Sequence, residues 1–244
     1  MSIARVYQPT SFSVQATIRL EEKASHHLVR VLRAKMGDQV TLFNGKGGEY
    51  AAIVTHIDKK RVEVNITSFL PREVESPIQI HLAQGLARGE RMDFIVQKAV
   101  ELGVHKISPL LTERCNVKLD AEREEKRAQH WRAIAASACE QCGRNRIPDI
   151  TLPTSFAAWL PTIKADQRFV LSPHVQNKLP TRSMALPASI MLLIGPEGGL
   201  SDAEINAAIQ HGFLPLNLGP RVLRTETAPL VAMTILQYCY GDLS

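Results

Sequence analysis

The chain has 244 residues, of which 45% are hydrophobic and 22% charged, so it is long enough for one large domain or two modest ones. No apolar run approaches the length of a membrane span, and the N-terminal MSIARVYQPTSFSVQ lacks the apolar core of a signal peptide. We therefore expect a cytoplasmic protein that has no membrane partner.

The net charge is +5 and the isoelectric point is about 9.1, but the basic residues are unevenly placed. Residues 1–72 contain 11 Lys and Arg against 6 Asp and Glu, so the whole excess of positive charge lies in the first third of the chain. Such segregation is typical of a surface that binds a polyanion such as RNA, although a surplus of this size also occurs in proteins that bind no nucleic acid.

Residues 3–70 have the pattern of a small β-barrel, with short β-like segments separated by turn sequences that contain Gly. One helix is predicted among these strands, over residues 24–34. On it, His26, Arg30 and Arg33 are spaced i, i+4 and i+7 and share a face, which favours contact with phosphates over a merely solvated surface. The opposite face is apolar and consists of Leu28, Val31 and Leu32.

Two prolines and two glutamates within residues 71–77 mark a boundary, which predicts domains over residues 1–72 and 73–244. Beyond it, strands alternate with helices. The predicted strands cover residues 78–83, 107–111, 147–152, 168–171, 190–194 and 213–218. The predicted helices cover residues 90–102, 121–142, 156–160 and 228–240. This alternation predicts a largely parallel sheet with helices on both faces.

Two predicted strands end in glycine-rich loops, IGPEGG at residues 194–199 and LGPRVLRTET at residues 218–227. The first loop is followed by a capping box at residues 201–204. Because the carboxyl ends of parallel strands meet at one sheet edge, the two loops predict a pocket of main-chain groups with a few charged side chains. Either loop alone would also fit an ordinary connection. Neither is a Walker loop or a Gly-x-Gly-x-x-Gly fingerprint, which weakens the case for a nucleotide-dependent oxidoreductase.

Six segments together resemble the small-subunit ribosomal RNA methyltransferase E family of the SPOUT superfamily. They are HHLVRVLRAKMGD, NGKGGEY, MDFIVQKAVELGV, VLSPH, IGPEGGLS and LNLGPRVLRTETA. The resemblance implies methylation of N3 of a specific uridine in 16S rRNA, with S-adenosylmethionine as donor and the small ribosomal subunit or its rRNA as partner. It also implies an α/β fold with an N-terminal PUA-like β-barrel and a C-terminal domain whose mostly parallel sheet forms a trefoil knot. The expected assembly is a homodimer with composite active sites.

The resemblance carries over to three cofactor loops, whose backbone groups should bind the adenine. The first is Leu171, Ser172 and Pro173; the second is Ile194, Gly195, Pro196, Glu197, Gly198 and Gly199; the third includes Leu218, Gly219, Val222, Leu223 and Arg224. The apolar side chains among them should pack around the ring. No metal is expected, because the close pair Cys139 and Cys142 sits in an alanine-rich helical pattern without further ligands at matching spacing.

For the chemistry, uridine N3 must lose a proton and its anion must be stabilised. Arg224 is our first choice for stabilising the anion, Glu226 for the general base and Glu197 for its alternative. A purely structural role stays open for both acids, with Glu226 capping the last helix and Glu197 paired with an arginine. Contacts to RNA phosphates are expected from His26, Arg30 and Arg33 on the first domain and from Arg88, Arg91, Arg144 and Arg146 on the second.

Two rival functions also stay open. One is a knotted methyltransferase acting on a ribose 2′-hydroxyl, but the Asn-Gly-Glu and Ser-x-Asn motifs of that branch are not found. The other is a non-catalytic rRNA-binding assembly protein that keeps the barrel and has lost the cofactor. The intact GPEGG and LGPRVLRTETA segments speak against it.

Overall fold

The computed structural model describes residues 3–58, 61–115, 120–172 and 187–243. The chain divides into two compact units: Met1–Glu75 with Ala136–Ile147, and Ser76–Ala135 with Pro148–Ser244. The division lies close to the predicted boundary but adds residues 136–147, distant in sequence, to the first unit. No helix in the described ranges combines the length and the apolar character needed to cross a membrane.

The first unit contains a five-stranded sheet in the order β1-β3-β4-β5-β2. Its strands are β1 (Ala4–Tyr7), β2 (Thr17–Arg19), β3 (Gln39–Phe43), β4 (Glu49–Asp58) and β5 (Arg61–Leu70). β1 pairs with β3 in parallel and the other neighbours are antiparallel. Alternate side chains of β5, Val62, Val64 and Ile66, are fully buried, as expected for a sheet with one face on a core.

The predicted helix over residues 24–34 is wrong in its second half. α1 (Glu22–His26) continues as a π-helical turn, His27–Val31, in which the Leu32 amide donates to the His27 carbonyl. Arg33 lies beyond it with a positive φ of 54°. Residues spaced i, i+4 and i+7 share a face only at 3.6 residues per turn, so that argument fails for His26, Arg30 and Arg33, although all three are exposed.

The expected apolar face of this segment is also only partly buried. Leu28 is fully buried in the core of the first unit. Val31 and Leu32 lie on the surface instead, 60% and 42% exposed. The change from α-helical to π-helical geometry alters which side chains point inward, and the sequence spacing alone did not indicate it.

The second unit is built on a seven-stranded sheet in the order β12-β10-β11-β6-β7-β8, with β9 also paired to β7. Its strands are β6 (Gln79–Gly85), β7 (Val104–Leu111), β8 (Asp149–Ile150), β9 (Thr154–Ser155), β10 (Gln167–Leu171), β11 (Ser189–Ile194) and β12 (Leu214–Leu216). All pairings between them are parallel, which confirms the predicted parallel sheet.

Five helices accompany these strands: α2 (Glu90–Glu101), α3 (Ala121–Cys142), α4 (Phe156–Trp159), α5 (Asp202–Gln210) and α6 (Thr227–Tyr240). A 3₁₀ turn, Leu160–Thr162, continues α4. The strand predicted over residues 147–152 shrinks to β8, because Pro148 and Pro153 flank it and cannot donate to the ladder. The trefoil knot stays a prediction.

A mostly buried histidine on β6 is held in a polar network. His81 Nε2 lies 2.8 Å from the Ser108 hydroxyl on the neighbouring β7. Burial, followed by the nearby Lys106 ammonium, lowers the pKa of His81 from 6.5 to about 4, while Asp149 opposes the shift. His81 is therefore neutral at physiological pH.

This arrangement predicts acid sensitivity. A histidine with a folded-state pKa below its unfolded value stabilises the protein fully above pH 6.5 and loses that contribution as pH falls towards 4. From pH 7.5 to pH 5 the loss amounts to about 2 kcal/mol. Urea unfolding at both pH values should show this loss in the wild type and a smaller one in His81→Gln. An equal loss in the two proteins would contradict the assignment.

Candidate active site

The carboxyl ends of β10, β11 and β12 come together at one edge of the sheet. The two loops that follow β11 and β12, residues 195–201 and 217–226, border a cavity of about 800 Å³. This placement follows from parallel pairing, since β10 lies between the other two strands and all three run in one direction.

Two glycines allow the strands and the first loop to approach closely. A Cβ atom on Gly195 would lie 2.7 Å from the backbone of Gly199 and Leu200. A Cβ atom on Gly85, at the end of β6, would lie 2.5 Å from Pro196 Cδ. The Gly199 amide donates to the Pro196 carbonyl over 2.8 Å, which closes a tight turn. The loop can therefore keep this path only without side chains at these two positions.

The start of α5 fixes the far end of this loop. Ser201 caps the helix by accepting from the Glu204 amide, and Glu204 Oε2 accepts from the Ser201 amide, so the predicted capping box is confirmed. The second oxygen of Glu204 accepts from the Glu113 amide over 2.8 Å. The adjacent Arg114 is thereby brought against Gly198, whose carbonyl accepts from the Arg114 guanidinium.

A buried glutamine joins the two loops. Gln84, fully buried at the end of β6, donates through Nε2 to the Gly195 carbonyl and lies within 3.2 Å of the Thr225 hydroxyl. Thr225 donates in turn to the same Gly195 carbonyl over 2.9 Å. Thr225 stands between the two predicted catalytic residues, so this network sets the position of Arg224 and Glu226 relative to the glycine loop.

The Glu197 carboxylate is held by Arg91 on α2 and by Arg88, which precedes the N-cap of that helix. Its Oε1 accepts from the Arg88 amide over 2.9 Å and from the Arg91 guanidinium over 2.6 Å. Desolvation raises the pKa of Glu197, but the amide of Arg88 and the charge of Arg91 outweigh it and hold the pKa below its ordinary value. Of the two roles open for Glu197, the structure thus shows the pairing with an arginine.

The Glu226 carboxylate is held by longer contacts than the Glu197 carboxylate. Its side chain makes no capping hydrogen bond to α6, which removes the predicted alternative of a helix cap. Its ionic contacts are longer, 3.8 Å to Arg91 Nε and 4.0 Å to Arg224 Nη1. The side chain is 20% exposed, and that of Arg224 is 77% exposed. A half-buried carboxylate and an exposed cation therefore lie side by side at the cavity.

Most of the predicted cofactor residues lie in the cavity wall. They are Leu171, Ser172, Ile194, Gly195, Pro196, Glu197, Gly198, Gly199, Leu218, Val222, Leu223 and Arg224. Gly219 does not line the cavity; its amide donates to the Asn217 side chain in a turn, with φ 112°. Pro173 lies outside the described residues.

The wall also holds residues that the sequence analysis did not assign to the cofactor. They are Arg91, Arg114, Leu200, Asp202, Ile205, Leu216, Asn217, Arg221, Thr225, Glu226 and Ala228. Several adjoin the glycine motifs and could have been included by extending them. Arg91 and Arg114 come from distant segments, and only the sheet order places them here.

The predicted RNA-contacting residues are distributed over both units. His26, Arg30, Arg33 and Arg88 are exposed. Arg144 and Arg146, assigned to the second domain from the sequence, belong to the first unit. Arg144 is 4% exposed and lies 2.5 Å from Glu75, so its charge is directed inward. Arg146 stays exposed, 3.5 Å from Glu73.

Within the described part of the chain, no group of three or more His, Cys, Asp or Glu side chains has the arrangement of a metal site. The charged groups at the cavity are arginines and carboxylates, of which Arg91 is paired with Glu197.

Each of the two units contains a region that matches a known protein family. Residues 74–237 match the family model described as an RNA methyltransferase domain, and residues 20–67 match that of an RNA methyltransferase PUA domain. The ribosomal RNA small subunit methyltransferase E of Buchnera aphidicola is 39% identical over 99% of this chain and 98% of its own. That of Bacillus subtilis is 32% identical over 91% of this chain and 90% of its own.

Solved structures of two methyltransferases are similar to this chain over its whole length. A methyltransferase from Legionella pneumophila, in complex with the bound cofactor SAM, has a TM-score of 0.95 and 44% identity over the whole of both chains. A ribosomal RNA small subunit methyltransferase E from Neisseria gonorrhoeae, bound to S-adenosyl methionine, has a TM-score of 0.92 and 38% identity, also over both whole chains.

Proposed function

The chain belongs to the ribosomal RNA small subunit methyltransferase E family, and we propose from this premise that it methylates N3 of a uridine in 16S rRNA. Its activity is S-adenosylmethionine-dependent methylation of that rRNA; the proposal adds the atom and the residues. The observation that carries it is the placement of Arg224 and Glu226 at the glycine-lined cavity.

The cavity suits S-adenosylmethionine. Its volume of about 800 Å³ lies within the range of small-molecule sites. The glycine loop lets a ligand approach its main chain, and Leu171, Ile194 and Leu223 offer apolar contact for the adenine ring. Bound there, the cofactor supplies a methyl group activated by its sulfonium.

Residues of this chain remove the N3 proton of uracil and stabilise the negative charge that remains. Glu226 accepts the proton from uracil N3 and passes it to solvent, and Arg224 stabilises the negative charge that spreads onto the uracil oxygens. Glu197 positions Arg91, whose guanidinium also faces Glu226. Gln84 and Thr225 keep the catalytic pair in register with the cofactor loop.

Contacts to RNA phosphates are assigned to the exposed side chains of His26, Arg30, Arg33, Arg88 and Arg146. Arg91 is paired with Glu197 at the cavity, and Arg144 is buried against Glu75 in the first unit. Neither is therefore assigned to RNA phosphates. Affinity for 16S rRNA should fall steeply with salt, because each phosphate contact releases a counterion.

We also propose a homodimer with composite active sites, located in the cytoplasm with its rRNA substrate. Supporting the dimer, Val222 beside the cavity is 84% exposed and Tyr238 on α6 is 57% exposed, so both side chains are accessible to a second copy of the chain. Sedimentation analysis tests this assembly, and a monomeric mass at micromolar concentration would refute it.

The reaction itself is tested with labelled S-adenosylmethionine and either free 16S rRNA or small subunits that lack the modification. Mass spectrometry of the nucleosides should identify N3-methyluridine. A 2′-O-methylated nucleoside would move the enzyme to the ribose-modifying class. Absence of S-adenosylmethionine binding in a calorimetric titration would instead indicate a non-catalytic assembly protein.

Substitution of one loop glycine should weaken cofactor binding. In Gly195→Ala the new methyl meets backbone atoms at 2.7 Å, and overpacking of this kind costs enough to raise the Kd for S-adenosylmethionine about tenfold to a hundredfold. Gly199→Ala is the matched control, since nothing lies within 4 Å and only its φ of 70° is strained. With a strain of about 1 kcal/mol, the lower end for this conformation, it should change the Kd about fivefold. Similar Kd values for the two variants would contradict the close-approach argument.

A further inference from the structure

Residues 30–36 of the first unit (RVLRAKM) form an exposed segment that is both apolar and basic. Val31, Leu32 and Met36 are 60%, 42% and 65% exposed. The cations among them, Arg30, Arg33 and Lys35, are exposed as well. We call residues 30–36 the apolar-basic segment.

The segment is held in one conformation by its backbone. At its start, the amides of Leu32 and Ala34 donate to carbonyls of the π-helical turn. At its end, Asp38 accepts from the Lys35 amide over 2.7 Å, and the Gly37 amide donates to Val54 on β4 over 2.8 Å. The exposed apolar side chains therefore stand on a fixed support, which lowers the entropy cost of binding through them.

The backbone at Arg33 is also strained. Its φ of 54° is uncommon for a residue other than glycine, and such conformations persist where neighbouring interactions enforce them, often at binding sites. A π-helical turn directly before it is a second local feature that recurs at functional sites. The strained Arg33 lies within the apolar-basic segment, and the π-helical turn overlaps its first two residues, Arg30 and Val31.

The charges indicate the partner. Within the described residues, no carboxylate lies within 4.0 Å of the Arg30, Arg33 or Lys35 side-chain nitrogens. Three unpaired cations interleaved with three apolar side chains complement a surface that is anionic and exposes apolar faces. RNA has this combination where its bases are unstacked, with phosphates beside the free ring faces.

We propose that the apolar-basic segment binds rRNA at unstacked bases, with Val31, Leu32 and Met36 against the base faces and Arg30, Arg33 and Lys35 on the flanking phosphates. This inference rests on the proposed function and narrows its substrate to rRNA that is locally unpaired where the first unit binds. The apolar side chains then contribute a part of the RNA-binding free energy that does not depend on the salt concentration.

Two triple variants of the full chain separate these contributions. In the polar variant, Val31→Thr, Leu32→Gln and Met36→Gln, the affinity for 16S rRNA should fall about tenfold to a hundredfold, with the slope of log Kd against log salt unchanged. In the neutral variant, Arg30→Gln, Arg33→Gln and Lys35→Gln, the slope should fall by about 2. Ile3→Gln with Val14→Thr is the matched control, because these apolar side chains of the first unit are also exposed.

Two model hairpins test the unstacked base directly. One is fully paired, and the other carries a bulge that contains 2-aminopurine. The wild type should bind the bulged hairpin more tightly and change the 2-aminopurine fluorescence, and the polar variant should lose both effects while keeping wild-type affinity for S-adenosylmethionine.

Wild-type RNA affinity of the polar variant, or equal loss in the matched control, would overturn this inference alone. Loss of binding to phosphatidylserine vesicles by the polar variant, with RNA binding intact, would overturn it in favour of a membrane. Failure of the wild type to bind rRNA at any salt concentration would overturn the proposed function as well, so the two failures are distinguishable.

Discussion

Replacement of Arg224 by alanine should lower kcat about 10²- to 10³-fold, the loss typical of removing one charged group that stabilises a developing anion. The side chain is 77% exposed and its ionic partner among the described residues, Glu226, is 4.0 Å away, so the guanidinium can reach a uracil in the cavity. Affinity for S-adenosylmethionine should stay close to that of the wild type. Single-turnover kinetics with 16S rRNA and calorimetry with the cofactor measure the two quantities.

Arg221→Ala is the matched control, because Arg221 belongs to the same loop and lines the same cavity. It removes an equal charge three residues from Arg224 and should affect KM for rRNA more than kcat. Equal losses of kcat in both variants would show that general positive charge, not the position of Arg224, supports the reaction. An unchanged kcat with a raised KM in Arg224→Ala would make Arg224 an RNA-binding residue only.

Glu226→Gln should lower kcat about 10²- to 10⁴-fold, as expected for the loss of a general base. The Glu226 carboxylate lies in the cavity wall and makes only long ionic contacts, so its oxygens are available to a proton. The residual rate of the variant should rise with pH, because hydroxide can remove the N3 proton in place of the missing carboxylate. The pH dependence of single-turnover rates measures this.

Glu197→Gln provides the comparison for Glu226. The Arg88 amide and Arg91 hold the Glu197 carboxylate in its ionised form and lower its pKa, which makes it a weaker base. Its replacement should disturb Arg91 and the loop, and so raise KM for S-adenosylmethionine with a smaller loss of kcat. If Glu197→Gln showed the hydroxide-dependent rate and Glu226→Gln did not, the two roles would be exchanged.

Features set by neighbouring residues were predictable from the sequence. α3 was expected over residues 121–142 and covers Ala121–Cys142. The Ser201 capping box and the apolar strand β11 were also expected, because caps and buried parallel strands have local signatures. The helix over residues 24–34 failed, since a π-helical turn has no such signature and changes which side chains are buried.

The residues of the candidate site also divide into those that the sequence indicated and those that it did not. Its glycine loops are contiguous in sequence, so the positions that line the cavity could be chosen from two short motifs. Gln84 and Arg114 could not be found, and Arg91 was expected at RNA phosphates and not at the cavity, because each lies far from these motifs along the chain. They reach the site only because β6 pairs with β11, and β7 with β6, in a parallel sheet.

The sequence by itself determined the two glycine loops that border the cavity, the alternation of strands and helices and the concentration of positive charge in the first third. The tertiary structure decided which charges remain available. It buried Arg144 against Glu75, placed Arg91 between Glu197 and Glu226, and left Arg224 exposed. The reason is physical: local patterns report the preferences of a segment, whereas the ionic partner of a side chain depends on which distant segments the fold packs beside it.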